Sequence, residues 1–248
     1  MKGVVLAGGY GTRMAPCTAV TNKHLLPVYT DAGAFPMIVF PISTLVSAGI
    51  EDILIVSSKE HCGDIIEHLG DGKEYNANFT YRIQDLAHVQ LGIGSALKIA
   101  QPFTGRDDFA VILGDNYFED DFTYVVNNFN SSCHIFLKHV DNPRQYGTVK
   151  WRESSDKAWM QIEKIVEKPH TPPSNHAVTG LYFFTPDVYL EAEKLKPSIR
   201  GELEIVDILN KYVDTDDITQ TMLDGYWSDL GTPTSMKRVQ RYLEKNES

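Results

Sequence analysis

Two cations stand ten residues apart behind a glycine-rich opening stretch, Leu6-Ala7-Gly8-Gly9-Tyr10-Gly11-Thr12-Arg13, with Lys23 further along. Glycines let a ligand lie against backbone N–H groups, which is what a phosphate needs. Arg13 can fork two donors onto phosphate oxygens, and Lys23 can act as a point charge. Two aspartates follow in separate segments: Asp115 in Leu113-Gly114-Asp115-Asn116, and Asp229 in Trp227-Ser228-Asp229-Leu230-Gly231-Thr232. Two such oxygen donors suit Mg²⁺ when phosphates and waters fill its other positions. Either aspartate alone would serve as well to cap a helix or fix a turn.

Three other readings of the glycine loop compete. It can be a tight turn with Arg13 and Lys23 solvated. It can be a dinucleotide fingerprint, but Met14 occupies the third glycine position, which opposes an NAD-dependent oxidoreductase. A P-loop would require Gly-Lys-Ser/Thr, and Gly11-Thr12-Arg13 does not supply it. The acidic run Glu119-Asp120-Asp121 lacks the glycine and spacing of a calcium loop and reads as the solvated start of a helix.

Buried strands and helices must hold these groups. Val4–Ala7, Ile53–Val56, Phe79–Ile83 and Phe109–Leu113 read as strands. Helical spacing falls between them, at Met37–Val46, 59–69 and 94–100. Strand and helix are thus expected to alternate to about residue 140. This predicts an α/β fold, a Rossmann-like, mostly parallel sheet with helices on both faces. From Gly147 the strands crowd together at Gly147–Lys150, Trp159–Val166 and Ala177–Phe184, which predicts an antiparallel extension with a sugar-sized pocket. Helices are expected at 186–195, 201–212 and 232–245. No repeat or low-complexity linker appears, so 1–248 reads as one domain, with a core over 1–140, a lobe over 141–231 and a final helix over 232–248.

The formal charge of −10 argues against a nucleic-acid surface, although local cations or a metal can still hold a small anion. No stretch reaches the ~20 apolar residues of a membrane span, and the start is too short for a signal peptide. Cys17, Cys62 and Cys133 form no CxxC pair and read as reduced thiols of a cytoplasmic protein.

Taken together, Leu6 to Thr18 and Asn22-Lys23-His24-Leu25-Leu26-Pro27-Val28 resemble the signature LAGGxGTRLxPxT…KxLLPV of the sugar-phosphate nucleotidylyltransferases, with Met14 where leucine is usual. The resemblance implies the nucleotide-diphospho-sugar transferase fold. It also implies that Leu6, Gly8, Gly9, Gly11, Thr12 and Arg13 bind the nucleotide, with Gln84 and Gly92 at the base. Asp115 and Asp229, which match the aspartates of LGDN and WxDxGT, would hold Mg²⁺. On the sugar side Asp141–Gly147 resembles D-P-x-x-Y-G, so Tyr146 and Gly147 would line a hexose pocket. Ile165–Pro169 resembles E-E-K-P, with Val166 at the first acidic position; Glu167 would accept from sugar hydroxyls and Lys168 would bind the sugar's phosphate. By itself that Glu-Lys pair would be an exposed ion pair of little consequence. Val178 and Tyr182 match AVTGLY, and Pro197–Ile205 matches PSARGELEIT, which makes Arg200 a second partner for the sugar phosphate; Glu202 and Glu204 read as a helix start.

The base-reading segment departs from the family. The loop over 85–91 is longer, Ser95 stands where a second glutamine is usual, and Thr30–Phe35 carries a small insertion. Gln84 serves thymine and uracil alike, so dTTP rests on the resemblance and UTP stays open. The reaction implied is dTTP plus a hexose 1-phosphate, namely glucose 1-phosphate, giving the nucleoside diphosphate sugar and pyrophosphate. Arg13 would neutralise the departing pyrophosphate, Lys23 would bridge the α-phosphate and the attacking oxygen, and Lys168 and Arg200 would align the nucleophile. The alternative is a nucleotide-sugar-binding regulatory module without the chemistry. The resemblance implies a homo-oligomer, dimer or tetramer. Longer members carry a helical tail for subunit contacts and a regulatory nucleotide site, and the sequence here ends without it.

Overall fold

Val4 and Val5 are neighbours in the chain, both fully buried, and they face different cores. Only a strand covered on both faces allows this. The computed structural model describes residues 1–9, 11–85, 92–152, 160–199 and 201–246. In chain order its elements open with β1 (Lys2–Ala7), the hairpin β2 (Pro27–Thr30) and β3 (Gly33–Pro36), and α1 (Val39–Ser47). Next come β4 (Asp52–Ser58), α2 (Cys62–Leu69), β5 (Asn78–Gln84), α3 (Ile93–Thr104) and β6 (Phe109–Leu113). Then follow β7 (Asn116–Phe118), α4 (Thr123–Asn128), β8 (Cys133–His139), β9 (Gly147–Trp151), β10 (Ile162–Glu167) and β11 (His176–Phe184). The chain continues through α5 (Val188–Lys194), α6 (Ile205–Asp214), β12 (Ile218–Met222), β13 (Trp227–Asp229) and α7 (Pro233–Asn246).

Nine strands form one sheet in the order β10-β9-β11-β6-β1-β4-β5, with β8 joined to β11 and β12 joined to β8. The run β6-β1-β4-β5 is parallel. One face packs Val5, Ile53, Ile55 and Ile112 against Ile42 and Leu45 of α1 and Ile65 of α2. The other packs Val4, Leu54 and Val111 against Leu97 of α3 and against α5 and α6. Strand and helix thus alternate as expected, through β6 and α4 to β8, which ends at His139. Beyond it β11 enters antiparallel beside β6 and β8. β8 therefore runs in the same direction as β6, and the strands that run against them, β10 and β11, come after residue 140. The antiparallel extension is β9, β10 and β11, and β12 is an exception, running parallel to β8.

Three further corrections concern local pattern. Residues 27–36 form a hairpin whose second strand is mostly exposed, so it shows no apolar run. Trp159, which opened the strand expected at 159–166, lies outside the described residues; the strand itself begins at Ile162. The helix expected at 201–212 starts at Ile205, with Glu204 extended before it.

The parallel order sets the carboxyl ends of β6, β1, β4 and β5 side by side, with Leu6 opposite Leu113, Ala7 opposite Ser57 and Ser58 opposite Gln84. Ligands of open α/β sheets sit at that edge. No helix among the described residues is long and apolar enough to cross a membrane.

Candidate active site

Gly8 and Gly9 leave β1 at this edge. A Cβ on Gly8 would come within 2.8 Å of Gln84 Oε1, so the absence of a side chain is what lets β5 close in. Gly11 has φ +61 and turns the chain into the short helix Thr12–Met14 that carries Arg13. The Thr18 hydroxyl donates to the Gly11 carbonyl at 2.9 Å, folding the loop back on itself. Lys23 sits on another single turn, Lys23–Leu25, capped by Asn22, whose Oδ1 accepts from the His24 N–H at 2.8 Å. The same oxygen lies 2.7 Å from His24 Nδ1. Burial, and then the charge of Lys23, push the His24 pKa down to about 3, so its ring is neutral at pH 7. Sequence reasoning missed this Asn22–His24 support. Its signal is the Asn two places before a buried His.

Asp115 lies just beyond β6 and is almost fully buried. Its Oδ2 pairs with Lys23 Nζ at 2.7 Å and its Oδ1 accepts from Asn116 Nδ2 at 3.2 Å. Burial alone would raise this carboxyl, but Lys23 and Arg13 outweigh it and hold the pKa well below the usual range. Asp229 arrives from the far end of the chain on β13, which pairs antiparallel with β7 and sets Asp229 opposite Asn116. The Leu230 N–H donates to the Asp115 carbonyl at 2.6 Å.

The missing side chain of Gly231 marks where these groups meet. A Cβ there would stand 3.0 Å from Arg13 Nη2, 3.0 Å from Asp115 Oδ2 and 3.1 Å from Asp229 Oδ1. One guanidinium and two carboxylates thus surround a single point. Among the described residues no three His, Cys, Asp or Glu side chains form a cage of their own. Two carboxylates are the donor set of an Mg²⁺ that takes its other ligands from phosphates and water, so the residues present fit that ion.

Two clefts adjoin at this point. One, of about 470 Å³, is lined by Leu6, Gly8, Gly9, Thr12, Arg13, Lys23, Gln84, Gly92 and Asp115. The other is lined by Tyr146, Gly147, Glu167, Lys168, Val178, Tyr182 and Asp229, and shares Arg13, Gly92 and Asp115 with the first. Gly11 lines neither and acts in the turn, and Arg200 lies outside the described residues. In the second cleft Lys168 Nζ is 3.1 Å from Glu167 Oε1. The Lys168 backbone has φ +39, an unfavourable value for a residue with a side chain, and its N–H donates to the Tyr146 carbonyl at 3.1 Å. Such strain clusters where a side chain must be aimed. A Cβ on Gly147 would meet Glu167 Oε2 at 3.4 Å, so glycine there keeps the cleft wide.

Asn116 was missed in the sequence, yet it ties together three parts of the smaller cleft's lining. Its Oδ1 accepts from Trp227 Nε1 at 2.8 Å and from the Gly180 N–H at 3.2 Å. The run Glu119-Asp120-Asp121 also needs correction. Only Asp121 serves the start of α4, accepting from the Thr123 N–H at 2.8 Å. Asp120 Oδ1 accepts from the N–H groups of Asp224 and Gly225, and Glu119 accepts from the Tyr226 N–H and the Tyr242 hydroxyl. These carboxylates clasp the loop that delivers β13, because that loop's N–H groups have no strand partner of their own.

A backbone cradle at the end of β1, cations above it and two carboxylates at the junction of two clefts define an α/β site where two phosphate-bearing molecules can meet. The chain belongs to the nucleotidyl transferase family, whose profile matches residues 2–246. It is similar to the glucose-1-phosphate thymidylyltransferase of Neisseria meningitidis, at 36% identity over 98% of this chain and 83% of that protein. That of Xanthomonas campestris is also 36% identical, over 98% of this chain and 80% of its own. A crystal structure of a Bacillus anthracis protein assigned as a glucose-1-phosphate thymidylyltransferase, in complex with sucrose, superposes with a TM-score of 0.87. It is 42% identical and covers 98% of this chain and 95% of that one. A UDP-glucose pyrophosphorylase complexed with UDP-glucose, 24% identical with a TM-score of 0.82, shares the fold.

Proposed function

We propose that this chain is a glucose-1-phosphate thymidylyltransferase, moving the nucleotidyl group of dTTP onto glucose 1-phosphate with release of pyrophosphate. The observation that carries the proposal is the convergence of Arg13, Asp115 and Asp229 on one point between the two clefts. The larger cleft takes the triphosphate, with Gly8, Gly9 and Thr12 along its backbone and Gln84 and Gly92 at the base. The smaller takes the hexose against Tyr146, Gly147, Glu167, Val178 and Tyr182.

A phosphate oxygen of the sugar phosphate is already ionised at neutral pH. It forms a bond to the α-phosphorus in line, and the bond from that phosphorus to the α–β bridging oxygen breaks. Pyrophosphate leaves with the electron pair, so no general base is needed. Catalysis is positioning and charge stabilisation. Arg13 neutralises the leaving pyrophosphate, Lys23 spans the α-phosphate and the attacking oxygen, and Lys168 and Arg200 hold the sugar phosphate. Mg²⁺, held by Asp115 and Asp229, would supply further charge neutralisation on the phosphates.

Lys23 is engaged by Asp115 at 2.7 Å, and this poises it at the junction. The three free cysteines fit a reducing, cytoplasmic setting. The test is a matrix of nucleoside triphosphates against several sugar 1-phosphates with Mg²⁺, scored by product mass. The expected product is dTDP-glucose. Failure to form any nucleoside diphosphate sugar would leave a binding module instead.

A further inference from the structure

Gln84 ends β5 at the floor of the larger cleft and is almost fully buried. Its Nε2 lies 2.7 Å from Ser95 Oγ, on the first turn of α3. Ser95 Oγ in turn lies 3.1 Å from the carbonyl oxygen of Gly92, one turn back along the chain. A serine hydroxyl has one proton to give. A carbonyl can only accept, so that proton goes to Gly92, and the hydroxyl must accept from Gln84. The amide nitrogen of Gln84 therefore faces Ser95, and its oxygen faces the other way. On that other side a Cβ on Gly8 would meet Oε1 at 2.8 Å. The two ends of the carboxamide, nearly alike in shape, are thus distinguished by a single chain of hydrogen bonds from Gly92 through Ser95.

We infer that Ser95 is a positioning residue that fixes the carboxamide of Gln84 with its oxygen toward the cleft, so that the site selects pyrimidines carrying an N3–H, thymine and uracil, over cytosine. The inference rests on the nucleotidyl transfer proposed above and names the device that reads the base. Thymine and uracil present a donor at N3, which an amide oxygen accepts. Cytosine in the same seat turns a bare lone pair onto that oxygen, leaving two acceptors facing one another. Sites that hydrogen-bond one partner reject its mismatched analogue strongly because buried polar groups are left unpaired. Nothing in this arrangement reads the 5-methyl group, so it sets thymine and uracil together. Ser95 stands where the resemblance leads one to expect glutamine. A shorter side chain there makes room for the hydroxyl to sit between Gln84 and Gly92.

The test compares kcat/KM for dTTP, UTP and dCTP in the wild type, Ser95→Ala and Ser95→Thr. Ser95→Ala removes the acceptor, so the carboxamide can turn over. The preference for dTTP over dCTP is expected to fall about tenfold or more, through KM rather than kcat, with UTP moving in step with dTTP. Ser95→Thr keeps the hydroxyl and is expected to restore the preference. A dTTP-to-dCTP ratio unchanged in Ser95→Ala, with turnover intact, would overturn the positioning role and leave the transfer reaction standing. Equal loss for all three nucleotides would also overturn it, since that marks a merely structural serine. Absence of product from every nucleotide with the wild type would bring down the reaction and the inference together.

Discussion

The hydroxyl of Tyr146 donates to Asp229 Oδ2 at 2.9 Å, while the Tyr146 ring lies against Trp227 with centroids 5.2 Å apart. A residue of the smaller cleft thus orients a carboxylate at the junction of both. Burial, followed by the charge of Asp229, raises the Tyr146 pKa, so the phenol remains a donor across the working range. The other oxygen of Asp229 accepts from the Gly231 N–H at 2.9 Å and the Ser235 hydroxyl at 3.3 Å. The carboxylate is held from both sides before any ligand arrives.

Tyr146→Phe should keep the ring contact with Trp227 and lose only the hydrogen bond. Partners that orient a metal's ligands typically change affinity or activity by ~10–100-fold. The Mg²⁺ concentration giving half-maximal rate is expected to rise about tenfold, with little change in melting temperature. Initial rates across a magnesium series would show this, and an unchanged magnesium dependence would remove Tyr146 from the account.

Gly231→Ala places a methyl group at the meeting point itself, 3.0 Å from Arg13 Nη2 and Asp115 Oδ2. Reacting groups displaced by about 1 Å lose ~10²-fold in rate, so a fall of at least that size is expected with the fold retained. Pyrophosphate release and a thermal melt on the same sample would check it. Normal activity would mean that the chemistry happens elsewhere.

Stability should decline as pH falls below about 6.5. His24 keeps a neutral ring in the fold down to about 3 and His134 down to about 4, both mainly through burial. The unfolded rings take up protons near pH 6.5, so unfolding becomes more favourable as protons are supplied. The contribution is complete above the unfolded pKa and is lost as pH falls toward the folded values. Each histidine should add a slope of about 1.4 kcal/mol per pH unit. Urea unfolding at about pH 7 and about pH 5.5 measures it. Equal stabilities at the two values would show that these rings take up protons in the fold.

Much of this was legible in the sequence because it is local. Gly8, Gly9, Arg13 and Lys23 fall within one loop, and each buried strand announces itself by an apolar run such as Phe109–Leu113. The resemblance extended the reading to residues that share a cleft with Asp229, including Tyr146, Glu167 and Lys168. What was missed depends on pairing across long separations. Short strands such as β7 and β13 carry no periodicity of their own, and only their mutual register brings Asp229 opposite Asn116. The acidic residues Glu119 and Asp120 look solvated in sequence, because their partners are backbone N–H groups more than a hundred residues away. Ser95 looked like a weakened position until its hydroxyl was seen between Gln84 and Gly92.

Magnesium-dependent pyrophosphate release from dTTP and glucose 1-phosphate, compared between the wild type and Asp229→Asn, tests the shared role of the two carboxylates most directly. If Asp115 and Asp229 hold one ion against the triphosphate, the variant should keep its melting temperature and lose ~10²–10³-fold in rate, with a shifted magnesium requirement. Near-normal release at the wild-type magnesium concentration would contradict the account.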